Sequence, residues 1–215
     1  VMLHEVYITR LSRFLPNKPV LNDEMEQYIG LINEHSAKSK RIVLRNNGIK
    51  CRYYALDKNG KATHTNSEMT ALAIRALFVN RQEEIREVDL LSCGTSSPDQ
   101  WMPSHAVMVH GWLTEARDME VVSPTGNCCS GMHALKYIWL AVKTGQSKKA
   151  VVAGSERTSR IMHHQSFEEE AKKLSQIEEN PYISFDKEFL RWMLSDGAAA
   201  ALVENKKNDT GLSLR

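Results

Sequence analysis

The stretch from Met119 to Leu140, MEVVSPTGNCCSGMHALKYIWL, decides the fold. It opens on a short apolar run, breaks at Pro124 and Gly126, and continues with apolar residues at helical spacing. A strand turns into a helix here, and two adjacent thiols, Cys128 and Cys129, sit on the turn. In α/β sheets, working groups gather at the carboxyl ends of the strands. Unpaired backbone N–H groups and the helix dipole favour negative charge there, and the thiolate is the reactive form of cysteine. Such a position makes a nucleophile of a cysteine; a buried packing pair is the rival reading. Gly131 lets a substrate or a neighbouring segment come close to the backbone. His133, four residues after Cys129, shares a helix face with it. It reads as a packing or hydrogen-bonding residue, with a Cys–His hydrolase dyad as the alternative.

The same alternation extends outward. HEVYITRLSRFL predicts a strand closed by Pro16-Asn17-Lys18-Pro19, and NDEMEQYIGLINEH a helix with acids in its first turn. TNSEMTALAIRALFVN predicts a helix capped at Thr65, Asn66 or Ser67, with Met69, Leu72, Ala73, Ala76 and Leu77 on its inner face. VDLLSCGTSS, KKAVVAGSE and DGAAAALVE predict strands, and SHAVMVHGWL a helix opened by Pro103. Gly145 marks the end of the helix that follows Cys129. Apolar strands alternating with helices predict a mainly parallel sheet covered on both faces. Residues 163–192 break the rhythm: they are charged and read as a surface helix plus loop, an insertion or a binding element.

Composition excludes more than it proposes. The 215 residues suit one domain or two small ones. A net charge of +2 gives no argument for nucleic acid or a membrane surface. No apolar run is long enough to span a bilayer, and the opening VMLHEVYITR has no secretory pattern, so a cytoplasmic protein is expected. Four cysteines, Cys51, Cys93, Cys128 and Cys129, lack the spacing of a disulfide scaffold or a structural zinc site. No metal is expected.

Four segments in order carry a resemblance: RNNGIKCRYY, CGTSSPDQWMPSHAVMVHGWL, GNCCSGMHALKYIWLAVKTGQSKKAVVAGSERTSR and LSDGAAAALVE. Together they resemble the amino-terminal half of β-ketoacyl-acyl-carrier-protein synthase III, a thiolase-like condensing enzyme. The opening HEVYITRLSRFLPNKPVLNDEME is most similar to a subgroup that makes dialkylresorcinol or aryl-polyene lipids. The resemblance implies an α/β fold, one βαβαβαββ half with a mixed five-stranded sheet covered by helices. It places that half at 1–205, with the charged insertion at about 163–192, and the start of a second half at 206–215.

The resemblance also implies site residues. Cys129, directly before Ser130-Gly131, would be the nucleophile that takes an acyl group, and its backbone N–H half of an oxyanion hole. Cys128 stands where the family has a small residue and would be a buried structural thiol. Arg160 after AGSE, and Arg45 in a loop before Gly48, would contact coenzyme A, whereas the family's adenine-stacking tryptophan is replaced near Arg41. Met102 would reach the acyl pocket across a homodimer. The expected partners are acyl-coenzyme A or acyl-carrier protein, as thioester substrates with no permanently bound cofactor. The catalytic histidine and asparagine, and the glycine completing the oxyanion hole, belong to the second half. A thiolase-like module used only for dimerisation, through MEVVSP, is the alternative.

Overall fold

The computed structural model describes residues 3–30, 37–163, 190–208 and 212–214. In chain order the elements are β1 (Val6–Phe14), β2 (Val20–Leu21), α1 (Glu26–Ile29), α2 (Ala37–Asn47), β3 (Cys51–Arg52), α3 (Asn66–Ala76) and β4 (Leu90–Gly94). They continue with α4 (His105–Trp112), β5 (Glu120–Val122), α5 (Ser130–Lys143), β6 (Lys149–Glu156), α6 (Ser159–Met162), β7 (Gly197–Glu204) and β8 (Leu212–Leu214). These elements form two compact units, one from Val1–Leu15, Thr65–Glu156 and Gly197–Arg215, the other from Pro16–His64 and Arg157–Asp196.

The first unit holds a six-stranded sheet in the order β5-β4-β6-β7-β1-β8. Only β5, β4 and β6 run parallel; β7 is antiparallel to both β6 and β1, and β8 to β1. The expectation of a mainly parallel sheet is therefore corrected, and the five expected strands are joined by β8. Burial on both faces, not strand direction, makes a strand uniformly apolar. The alanine-rich β7 is touched by both α3 and α5 while pairing antiparallel.

Side chains alternate across the sheet and so sort the helices. Leu90, Ala150, Val152, Ala201 and Val203 form one core with Ala134, Ile138, Ala141 and Val142 of α5. On the opposite face, Ser155 of β6 meets Thr70 of α3 and His105 of α4. Each fully buried Leu, Ile or Val side chain here contributes roughly 1.5–3 kcal/mol. Thr65 caps α3: its Oγ1 accepts from the Glu68 amide at 3.1 Å, and Glu68 accepts from the Thr65 amide at 3.3 Å. This reciprocal cap stabilises the helix start by about 1 kcal/mol. The inner face of α3 is rotated from the expected one: Met69, Ala73 and Leu77 are buried, but Ala76 is exposed, and Thr70, Ala71 and Ile74 are buried too.

In the second unit, Val20, Met25, Ile29, Leu44, Tyr54, Leu56 and Trp192 form a separate apolar cluster beside the short β2–β3 ladder. The helix expected over NDEMEQYIGLINEH is only one described turn, because Gly30 leaves helical geometry at φ 73°. The remainder of that stretch, and most of the charged residues 163–192, lie outside the described residues. Arg191 and Trp192, read from sequence as part of a surface insertion, are buried. Arg191 donates to the Ile29, Gly30 and Met162 carbonyls at 2.7–2.8 Å, which explains how a guanidinium is tolerated there.

Candidate active site

The turn into α5 is built from backbone before any side chain acts. Gly126 has φ 144° and Asn127 φ 49°, and a 3-10 turn over Asn127–Cys129 feeds into α5 with Cys129 at its N-cap. The Cys129 thiol is exposed and donates to the Gly126 carbonyl at 2.8 Å. Its backbone N–H also points to that carbonyl, at 3.3 Å, so the oxyanion role expected of it requires this bond to open. Cys128 is exposed, which corrects the expectation of a buried structural thiol. Substitution of a small residue by cysteine costs nothing in packing where the side chain meets solvent.

Three glycines set the start of α5 on the sheet. Gly94 and Gly154 are partners in the β4–β6 ladder, at the carboxyl ends of both strands. A Cβ on Gly94 would overlap the Ser130 carbonyl and lie 2.8 Å from the Gly131 nitrogen. A Cβ on Gly131 would lie 3.6 Å from the Gly154 Cα. The Ser130–Gly131 peptide therefore sits directly on a two-glycine notch. The close approach expected at Gly131 is made by the sheet itself.

The loop after β4 is tied down at three points. Asn66 donates to the Thr95 hydroxyl and the Ser97 carbonyl, both at 2.9 Å. Glu156, at the end of β6, accepts from the Ser96 amide and hydroxyl and from the Ser97 hydroxyl at 2.5–2.8 Å. Asp99 accepts from the Asn66 and Ser67 amides, each at 2.8 Å, at the positive end of α3. Beyond these anchors Trp101 and Met102 project with 87% and 86% of their surface exposed. Under the loop, burial depresses the His105 imidazole to about 4, against the opposing influence of Asp99 and Glu156. His105 is thus a neutral core residue, its Nε2 3.1 Å from Ser155 Oγ. Sequence reasoning passed over Gly94, Asp99, Glu156 and His105. The only available signal was a glycine at or near the end of each strand, at CG and AGSE.

The two predicted cofactor-contacting arginines are in the second unit. Arg45 is exposed in the last turn of α2, which corrects its expected place in a loop. Arg160 is exposed on α6. The Asp196 carboxylate holds the start of α6, accepting from the Ser159 amide at 2.9 Å and hydroxyl at 2.5 Å and from the Ala55 amide at 2.7 Å. Burial raises the Asp196 carboxyl above its ordinary range despite these donors. Among the described residues, no group of three His, Cys, Asp or Glu side chains is placed to hold a metal ion. Among them, too, no helix is long and apolar enough to cross a membrane.

The stretch that matches known proteins carries an exposed cysteine at a glycine-seated helix start. Residues 114–209, which contain it, match the family described as beta-ketoacyl synthase, N-terminal domain. The chain is 30% identical over 163 residues to beta-ketoacyl-[acyl-carrier-protein] synthase III of Ehrlichia canis, covering 74% of this chain and 46% of that protein. It is 28% identical over 155 residues to the Neisseria gonorrhoeae protein of the same name, covering 72% and 45%. The chain resembles β-ketoacyl synthase III, and its fold is thiolase-like. It spans less than half the length of these synthase III relatives. Among solved structures, 3-oxoacyl-[acyl-carrier-protein] synthase III from Aquifex aeolicus matches with a TM-score of 0.67 at 19% identity, over 94% of this chain and 55% of that one. Acetamide-bound OleA of Xanthomonas campestris matches with a TM-score of 0.70 at 17% identity, over 95% and 59%. At these identities the structural matches establish the fold alone.

Proposed function

We propose that Cys129 is the acyl acceptor of a synthase III-type condensing enzyme. The observation that carries this reading is the exposed Cys129 thiol at the N-cap of α5, seated by Gly94, Gly131 and Gly154 at the carboxyl ends of β4 and β6. The thiolate attacks the carbonyl carbon of an acyl thioester, the bond to the carrier sulfur breaks, and the acyl group stays on Sγ. Acyl-coenzyme A and acyl-carrier protein are the donors, with Arg45 and Arg160 contacting coenzyme A and Met102 contributing to an acyl pocket across a homodimer. Condensation with a carrier-bound extender then needs the histidine and asparagine that the resemblance assigns to a second half following residue 205. In the dialkylresorcinol-type subgroup the extender is itself a β-ketoacyl thioester.

The test is intact-mass measurement after incubation with an acyl-coenzyme A. The native chain and Cys128→Ala gain one acyl mass and Cys129→Ala gains none. Acylation of Cys129→Ala at Cys128 would overturn the assignment.

One observation favours a second reading, a dimerisation module. β5 is the end strand of the sheet, with one side of its backbone unpaired by any described strand. A stable dimer in gel filtration whose Cys129 takes no acyl group supports this reading over the enzyme.

A further inference from the structure

We propose that His133 is the proton acceptor of the Cys129 thiol. This goes beyond the role of Cys129 given above and rests on that reading. His133 lies one helical turn after Cys129, and its ring comes back over the turn that carries the thiol. The Nδ1 and Cε1 atoms each lie 3.2 Å from the point where a Gly126 Cβ would be, and Cys129 Sγ lies 3.6 Å from the same point. Imidazole and sulfur therefore converge on the space above Gly126 that the missing side chain leaves. That space exists because φ 144° at Gly126 suits glycine.

The hydrogen bonds assign the atoms. The two carbonyls of Thr125 and Gly126 each hold one partner: Nδ1 at 3.4 Å from Thr125 O, and Sγ at 2.8 Å from Gly126 O. With Nδ1–H donating to Thr125, the lone pair of the neutral ring is on Nε2. Rotation of the thiol away from the Gly126 carbonyl passes its proton to Nε2 through one water. The thiolate then attacks the thioester carbonyl carbon, forming the Sγ–C bond. The C–S bond to the carrier breaks, and the departing thiolate takes the proton back from the imidazolium. Atoms and charge balance with no additional reactant. His133 and Cys129 are both exposed, so a thioester carbonyl and its leaving group have room at this edge of the turn.

The experiment measures the rate of iodoacetamide alkylation at Cys129, read by peptide mass in the native chain, His133→Ala and His133→Phe. A free thiol is only a few per cent thiolate at neutral pH, so loss of its base slows alkylation by about tenfold. Both variants are expected to show that loss at an unchanged melting temperature, and added imidazole is expected to restore the rate in His133→Ala. Phenylalanine keeps the ring volume, so a packing role would leave His133→Phe at the native rate. A native alkylation rate in either variant, or a loss that imidazole does not restore, overturns the proposal. Acyl transfer to Cys129 is measured separately in the native chain. If it is present while the variants alkylate normally, only the role of His133 falls; if it is absent, the acyl-acceptor reading itself falls.

Discussion

Gly94 illustrates how much of this site rests on an atom that is absent. Any Cβ there meets the Ser130 carbonyl and the Gly131 nitrogen, backbone atoms that a rotamer change cannot move. Gly94→Ala is expected to destabilise the first unit by about 3 kcal/mol or more, above the usual cost of overpacking because the clash is with backbone. Urea unfolding read by circular dichroism checks this, and a native midpoint would show that α5 does not sit on the notch. His105 gives a pH signature. Its folded imidazole titrates at about 4 against an ordinary value near 6.5, so the unfolded chain binds the proton more readily. Stability from this group is complete above the ordinary value and is lost as pH falls toward 4, by about 3 kcal/mol at most. His105→Asn is expected to flatten the melting temperature between those limits; an unchanged slope would contradict a buried neutral imidazole. The turn that carries Cys128 and Cys129 was legible in the sequence because the hydrophobic period changes right at the two thiols. Gly94 and Glu156 were not, because their work is done on segments that only the folded sheet brings near.

Among the elements, α3 was legible and α1 was not. TNSEMTALAIRALFVN carries its own cap, Thr65 with Glu68, and the cap forms as read. The face it buries was misjudged at Ala76, since a helix spanning β1, β6 and β7 turns Thr70, Ala71 and Ile74 inward as well. In NDEMEQYIGLINEH the helical spacing runs through Gly30, whose positive φ ends the described helix. The start of α3 also anchors the loop that carries Met102, through Asp99. Removing that carboxylate in Asp99→Ala takes two charge-assisted bonds from the Asn66 and Ser67 amides. A loss of about 2 kcal/mol is expected, with faster hydrogen exchange at those two amides. Native exchange rates there would mean that the loop is held by Glu156 and the Asn66 side chain alone.

At the scale of the whole molecule, the thiolase-like class was readable from four ordered segments, while the direction of β7 was not. A strand such as GAAAALVE, touched by helices on both faces, carries the same apolar signature in either direction. Neither could sequence separate the two compact units, because the chain leaves the sheet after β1 and again after β6 before returning at β7. The residues proposed for function divide likewise: Cys129, His133 and Met102 belong to the sheet-bearing unit, and Arg45 and Arg160 to the other. The central claim concerns one sulfur in the first of these. Incubation of the native chain with an acyl-coenzyme A, followed by proteolysis and fragmentation of the peptide that ends at Lys136, locates the acyl group directly. The account predicts one thioester, on Cys129; an acyl group on Cys128, or none on this peptide, would contradict it.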